Sequence, residues 1–185
     1  MIPNRYPLKL PCRGNINLII RPLEEEDIGE VVRFMRSLPE EERVYFWDDP
    51  TQPEVIRRWI RESQEGNGVA LIGSVGEKII TLWTLSHDRH SWTRHIGYLW
   101  GIVDPAYRRQ GVATVMVREL LNLATHLDIE RVALELIRPQ KGQIGHFTHL
   151  GFEMIAVLRD WVKDPNGQYH DMIIISMEVE PAWRK

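Results

Sequence analysis

"V-D-P-A-Y-R-R-Q-G-V-A-T", residues 103–114, is where the chain changes its period. Before it, "H-I-G-Y-L-W-G-I-V" (95–103) is rich in β-formers. After it, Met116, Leu120, Leu123 and Leu127 fall at helical spacing. The junction is a strand-to-helix turn that carries Arg108, Arg109 and Gly111. A helix N-terminus presents unpaired N–H groups and the positive end of the dipole, and together these hold an anion. The amides of Arg109, Gln110, Gly111, Val112, Ala113 and Thr114 are the candidates here. Gly111 has no Cβ to hold a phosphate away, and Ala113 keeps the first turn narrow. Arg108 and Arg109 add full charge and fork-shaped donors. A diphosphate suits this turn better than a nucleoside triphosphate with magnesium, because G-x-x-x-x-G-K-[ST] and G-x-G-x-x-G are both absent. The competing reading is an ordinary turn whose arginines are solvated.

Working outward, residues 1–14 hold three prolines and read as an irregular arm, with a domain over 16–180 and a short tail over 181–185. "I-N-L-I-I" (16–20) alternates as a strand. Ile28, Val31, Met35 and Leu38 mark a helix that stops at Pro39, and Pro53 opens a second helix over 53–62. Strands follow at 69–75, 78–85 and 95–103, joined by hairpin turns that imply antiparallel pairing. After the helix that begins near Ala113 come a strand at 131–137, a short helix ending at Gly151, and two final strands either side of "K-D-P-N-G-Q". The order is β-α-α-β-β-β-α-β-α-β-β. Strands 95–103 and 131–137 are joined through a helix, so they are expected to lie parallel, with a right-handed crossover.

Of the 185 residues, 43% are hydrophobic and seven are tryptophan, which suits one domain with a sizeable core. The formal charge of −3 gives little support to nucleic-acid binding. A single cysteine, Cys12, excludes a disulfide framework and suits a reducing compartment. With no signal-peptide pattern and no membrane-length apolar run, the expectation is a cytoplasmic domain of α/β or α+β class.

The motif, with Arg108, Gly111 and Ala113 on its defining positions, resembles the R/Q-x-x-G-x-G/A acyl-CoA signature of the GNAT superfamily of N-acyltransferases. "R-P-L-E-E-E-D" (21–27) is similar to that family's first strand and helix, and "H-L-G-F" (149–152) to its L-G-F ending. "S-W-T-R-H-I-G", "R-P-Q-K-G" and "D-P-N-G-Q-Y-H-D" look like a bacterial subgroup. The resemblance implies a mixed, mostly antiparallel sheet of about seven strands flanked by four helices. It also implies an enzyme that moves an acetyl group from acetyl-CoA to a primary amine by direct attack in a ternary complex. The pantetheine arm would pair with a splayed strand at Trp100, Gly101, Ile102 and Val103, and an amide near Ile102 or Val103 would polarise the thioester. The diphosphate would sit on residues 108–114. Members of that family are often dimers, so a homodimer is an expectation; from the residues themselves, no metal and no nucleic-acid or membrane partner is expected.

Catalytic groups are less regular. Many members of that family carry a glutamate base near the start of the fourth strand, where this chain has His95; the imidazole can serve as base or simply cap the hairpin. The usual tyrosine acid is replaced by Phe147, which packs or contacts the thiol end, leaving His146, Thr148, Tyr107 or water to reprotonate the thiolate. Tyr45, Phe46 and Trp47 stand where an acceptor wall or core packing is expected. Asp171, beside His170, either faces a cationic acceptor or is a solvated turn residue. His87, His90 and His95 with Asp88 read as turn residues rather than metal ligands. The alternative function is a catalytically silent acyl-CoA sensor.

Overall fold

A computed structural model describes residues 5–43, 46, 48–137 and 141–179. The strands are β1 (Leu8–Cys12), β2 (Ile16–Pro22), β3 (Gly68–Val75), β4 (Lys78–Ser86), β5 (Ile96–Val103), β6 (Arg131–Ile137), β7 (Glu153–Lys163) and β8 (Tyr169–Glu178). The helices are α1 (Ile28–Ser37), the one-turn α2 (Glu40–Arg43), α3 (Pro53–Glu65), α4 (Val112–His126) and α5 (Lys141–Thr148). The eight strands form one sheet in the order β1-β2-β3-β4-β5-β6-β8-β7. Every neighbouring pair is antiparallel except β5 with β6, which the α4 crossover makes parallel.

Each face of the sheet carries a core. On one, Leu18, Leu71, Leu99, Val132 and Leu134 pack against Met116 and Leu120 of α4 and Phe147 of α5. On the other, Ala70, Ile72 and Leu82 meet Val31 and Met35 of α1 and Ile56 and Ile60 of α3. Both faces of β3 are therefore covered, which explains why "V-A-L-I" is a continuous apolar run and not an alternation. Helix α3 starts with Pro53 in its first turn and ends at Gly66, whose left-handed φ of 76° closes the helix.

The N-terminal segment departs from expectation. It is an edge strand, pairing Leu8 with Ile20 through Cys12 with Ile16, and it adds an eighth strand to the expected seven. Leu8, Leu10 and Cys12 turn inward while Lys9 and Pro11 stay exposed. Proline is tolerated at such an edge because only one side of the strand needs ladder donors. The arm is also tied to α4: Arg5 and the Tyr6 hydroxyl both donate to the buried carboxylate of Glu119. At its other end the Arg13 amide donates to the Gln110 carbonyl at 2.8 Å.

Candidate active site

The site begins where the sheet splits. β5 and β6 pair only at Ile96–Arg131, Gly97–Val132 and Tyr98–Ala133, although β5 runs on to Val103 and β6 to Ile137. β4 holds the other side of β5 along this length, and β8 holds the other side of β6. Two diverging strand edges result. The Asp104 amide donates to the Ile80 carbonyl at 2.8 Å and fixes the phase of the β4–β5 ladder. Antiparallel partners alternate between bonded and non-bonded pairs. Counting back, Ile102 and Trp100 turn their main-chain groups to β4, so those of Gly101 and Val103 face the gap, whereas the Leu99 amide still belongs to the β5–β6 ladder beside Ala133.

This corrects one sequence reading: the Ile102 amide points to Leu82, leaving Gly101 and Val103 on the open edge. The Ile102 carbonyl also accepts from the Thr81 hydroxyl at 2.7 Å, and Thr81 in turn accepts from the Trp83 indole at 2.9 Å. Gly101 faces Trp83, whose ring lies 1.9 Å from where a Cβ would be. Its missing side chain is a packing requirement of β4.

Beyond Val103 the chain reaches the α4 N-terminus. Arg109 (φ 60°) and Gly111 (φ 85°) both adopt the left-handed conformation and turn the backbone into the helix. The main-chain N–H groups of residues 109–114 meet no acceptor among the described residues. A Cβ on Gly111 would meet nothing within 4 Å, so this seat is open. Arg108 is engaged already: its Nε donates to the Val103 carbonyl at 3.1 Å, and its fork grips the Glu42 carboxylate, one contact being 2.8 Å.

On the α1–α3 face, a cleft of about 350 Å³ lies over the split. Phe46, Trp59, Trp100 and Tyr98 wall it, and Thr84 and Ser86 supply hydroxyls. Phe46 stands edge-on to Trp100 at 5.0 Å, and Trp59 tilts against the same ring at 5.5 Å. Two carboxylates, Asp48 and Glu135, also line it. Asp48 accepts from Arg58. Glu135 makes no hydrogen bond or ion pair among the described residues, and burial pushes its carboxyl above the usual range.

The profile of the acetyltransferase (GNAT) family matches residues 32–152. The chain belongs to this family. An acetyltransferase of the GNAT family from Streptococcus pneumoniae has 19% identity over 87% of this chain and 99% of its own, with a TM-score of 0.76. A ribosomal-protein-alanine N-acetyltransferase from Brucella melitensis has 15% identity over 86% and 98%, with a TM-score of 0.73. Mycobacterium smegmatis RimJ in complex with CoA-disulfide has 14% identity over 94% and 88%, with a TM-score of 0.75. At such identities these likenesses concern the fold. No curated protein matches the chain.

The structure of this GNAT-family chain brings some of the nominated residues together and separates others. Residues 101–114 form one continuous path from the split edge to the helix N-terminus, and Phe46 lines the cleft. Trp47 and Tyr45 lie outside the described residues. His95 is not at the cleft. It sits exposed in the turn before β5, and its carbonyl accepts from the amides of Glu130 and Arg131. Phe147 is buried in the α4–α5 core against Phe152 at 5.5 Å. Asp171 is not among the cleft residues; its carboxylate accepts from the Asp160 amide at 3.0 Å, where the β7–β8 register shifts. His87 is buried with its two ring nitrogens 3.2 and 3.3 Å from the carbonyls of Gly66 and Arg94. No helix among the described residues is long and apolar enough to cross a membrane.

Glu135 was missed by sequence reading. The signal was present: in "R-V-A-L-E-L-I" the alternation of Val132, Leu134 and Leu136 fixes one face, and a carboxylate then interrupts the other in mid-strand.

Proposed function

We propose that the chain transfers an acetyl group from acetyl-CoA to a primary amine by direct attack in a ternary complex. The observation that carries this reading is the early end of the β5–β6 ladder beside an α4 N-terminus whose amides have no acceptor among the described residues. The diphosphate sits on residues 108–114, where main-chain donors and the helix dipole favour negative charge. The pantetheine arm runs along the free β5 edge and pairs with Gly101 and Val103 like an added strand. An N–H of that edge then supports the tetrahedral oxyanion, an effect commonly worth about 3 kcal/mol.

The amine approaches through the cleft on the α1–α3 face. An alkylamine titrates near 10.4 and must lose a proton before it attacks. The C–N bond forms, the C–S bond breaks, and the thiolate, with a pKa of about 8.5, leaves readily. His95 stands outside the cleft, so the base role is not assigned to it. Cys12 lies in β1, where burial pushes its thiol up, and it takes no part as a nucleophile.

The test is Gly111→Trp. The indole would fill the diphosphate seat, while the left-handed φ costs a side chain about 1–2 kcal/mol and leaves the fold intact. Calorimetric titration with acetyl-CoA should show binding to the parent and none to the variant. Equal affinity would remove the site. Binding without CoA release across an amine panel would favour the silent sensor.

A further inference from the structure

The cleft is specific in its chemistry as well as its position. Its walls are aromatic, and the faces of Phe46, Trp59 and Trp100 carry the negative side of their quadrupoles. Asp48 is already answered by Arg58, which also lies 3.7 Å from Glu62. Among the described residues that line the cleft there is no arginine, lysine or histidine, so none of them gives Glu135 a counter-charge there. The hydroxyls of Thr84, Ser86 and Tyr98 make no hydrogen bond among the described residues. A half-buried carboxylate without a partner is costly and gains most from a cation that enters with its own donors. Aromatic faces add attraction for the same charge.

We propose that Glu135 and the aromatic walls of this cleft form the acceptor subsite, selecting a compact arylalkyl ammonium and excluding amines that carry a carboxylate beside the nitrogen. The ammonium donates to Glu135, and its ring or chain lies among Phe46, Trp59 and Trp100. The volume of about 350 Å³ suits one small molecule, near the lower end of ligand-pocket sizes. An acceptor α-carboxylate would meet Glu135 with no cation among the described lining residues to offset it. The inference rests on the transferase reading for the word acceptor, but the affinity of the cleft for an ammonium is independent of it.

Two titrations keep these apart. Phenethylamine and phenylalanine share a body and differ by one carboxylate, and each is titrated into the parent, Glu135→Gln and Glu135→Asp in the absence of CoA. Phenethylamine should bind the parent, bind Glu135→Gln about tenfold or more weakly, and recover in part with Glu135→Asp. Phenylalanine should bind none of them measurably. Melting temperature controls for folding, and Glu135→Gln should match or exceed the parent because a buried charge has been removed. Equal phenethylamine affinity for parent and Glu135→Gln, or phenylalanine binding as well as phenethylamine, overturns the proposal. CoA release from acetyl-CoA across an amine panel, measured separately on the parent, decides the transferase reading, whichever way the binding arm falls.

Discussion

At the scale of single residues, the site depends on side chains that are absent or unpartnered. Gly101 has to be glycine because Trp83 occupies the volume of its Cβ. Gly101→Ala should therefore destabilise the fold by about 1–3 kcal/mol, the range of core overpacking. Trp83→Leu in the same chain should recover part of that loss, and a double-mutant cycle by denaturant melts checks the coupling. Additive losses would place the strain elsewhere. The sequence made the turn at Gly111 legible, because a glycine where a strand pattern gives way to a helix pattern suits the left-handed conformation found there. Gly101 looked similar but has a different cause, since Trp83 reaches it only through the β4–β5 register, which no local pattern encodes. His95 and Glu135 illustrate the same limit. Both lie on or beside strands at the split, and only the three-dimensional gap shows which of them meets the cleft.

At the scale of elements, two short segments tether the α4 end. Helix α2 reaches the motif through Glu42, which holds the Arg108 fork. An exposed pair of this kind is worth roughly 0.5–1 kcal/mol. Glu42→Gln should release the guanidinium for phosphate and tighten acetyl-CoA binding by about two- to fivefold. Unchanged affinity would show that Arg108 leaves Glu42 without cost, or takes no part. The second tether is the β1 arm. Burial, and then the hydrogen bond to Glu119, push the Tyr6 hydroxyl above its ordinary 10.0. A pKa raised on folding gives a contribution that is complete below the unfolded value and lost above it. Tyr6→Phe should thus cost about 1 kcal/mol below pH 10, and the gap between variant and parent should close as the pH climbs further. Neither tether was visible in the sequence. Three prolines disguised β1, and no spacing links Glu42 to Arg108 or Tyr6 to Glu119 across the chain.

At the scale of the whole molecule, the sheet is covered on both faces along its middle and bare at β7. Ile155 and Trp161 are 57% and 64% exposed on that edge strand. Replacing them with Lys and Glu should leave the melting temperature unchanged, since surface substitutions stay within about 0.5 kcal/mol, while raising solubility. A marked loss of stability would show that the row is packed in solution. The architecture itself was the most legible feature. Runs such as "V-A-L-I-G-S-V" and the period change after Val103 are strong because burial on one or both faces dictates them. Strand count failed only at the edge, where burial asks least of a sequence.

The split between β5 and β6 also leaves an isotopic signature. Amides of Trp100 and Ile102 lie in the β4 ladder, and those of Gly101 and Val103 look into the gap, so deuterium should enter this end of the strand at two alternating rates. A thioester ligand seated along that edge would slow the fast set and leave its neighbours as they were, making every second amide of one strand a reporter of occupancy that needs no turnover.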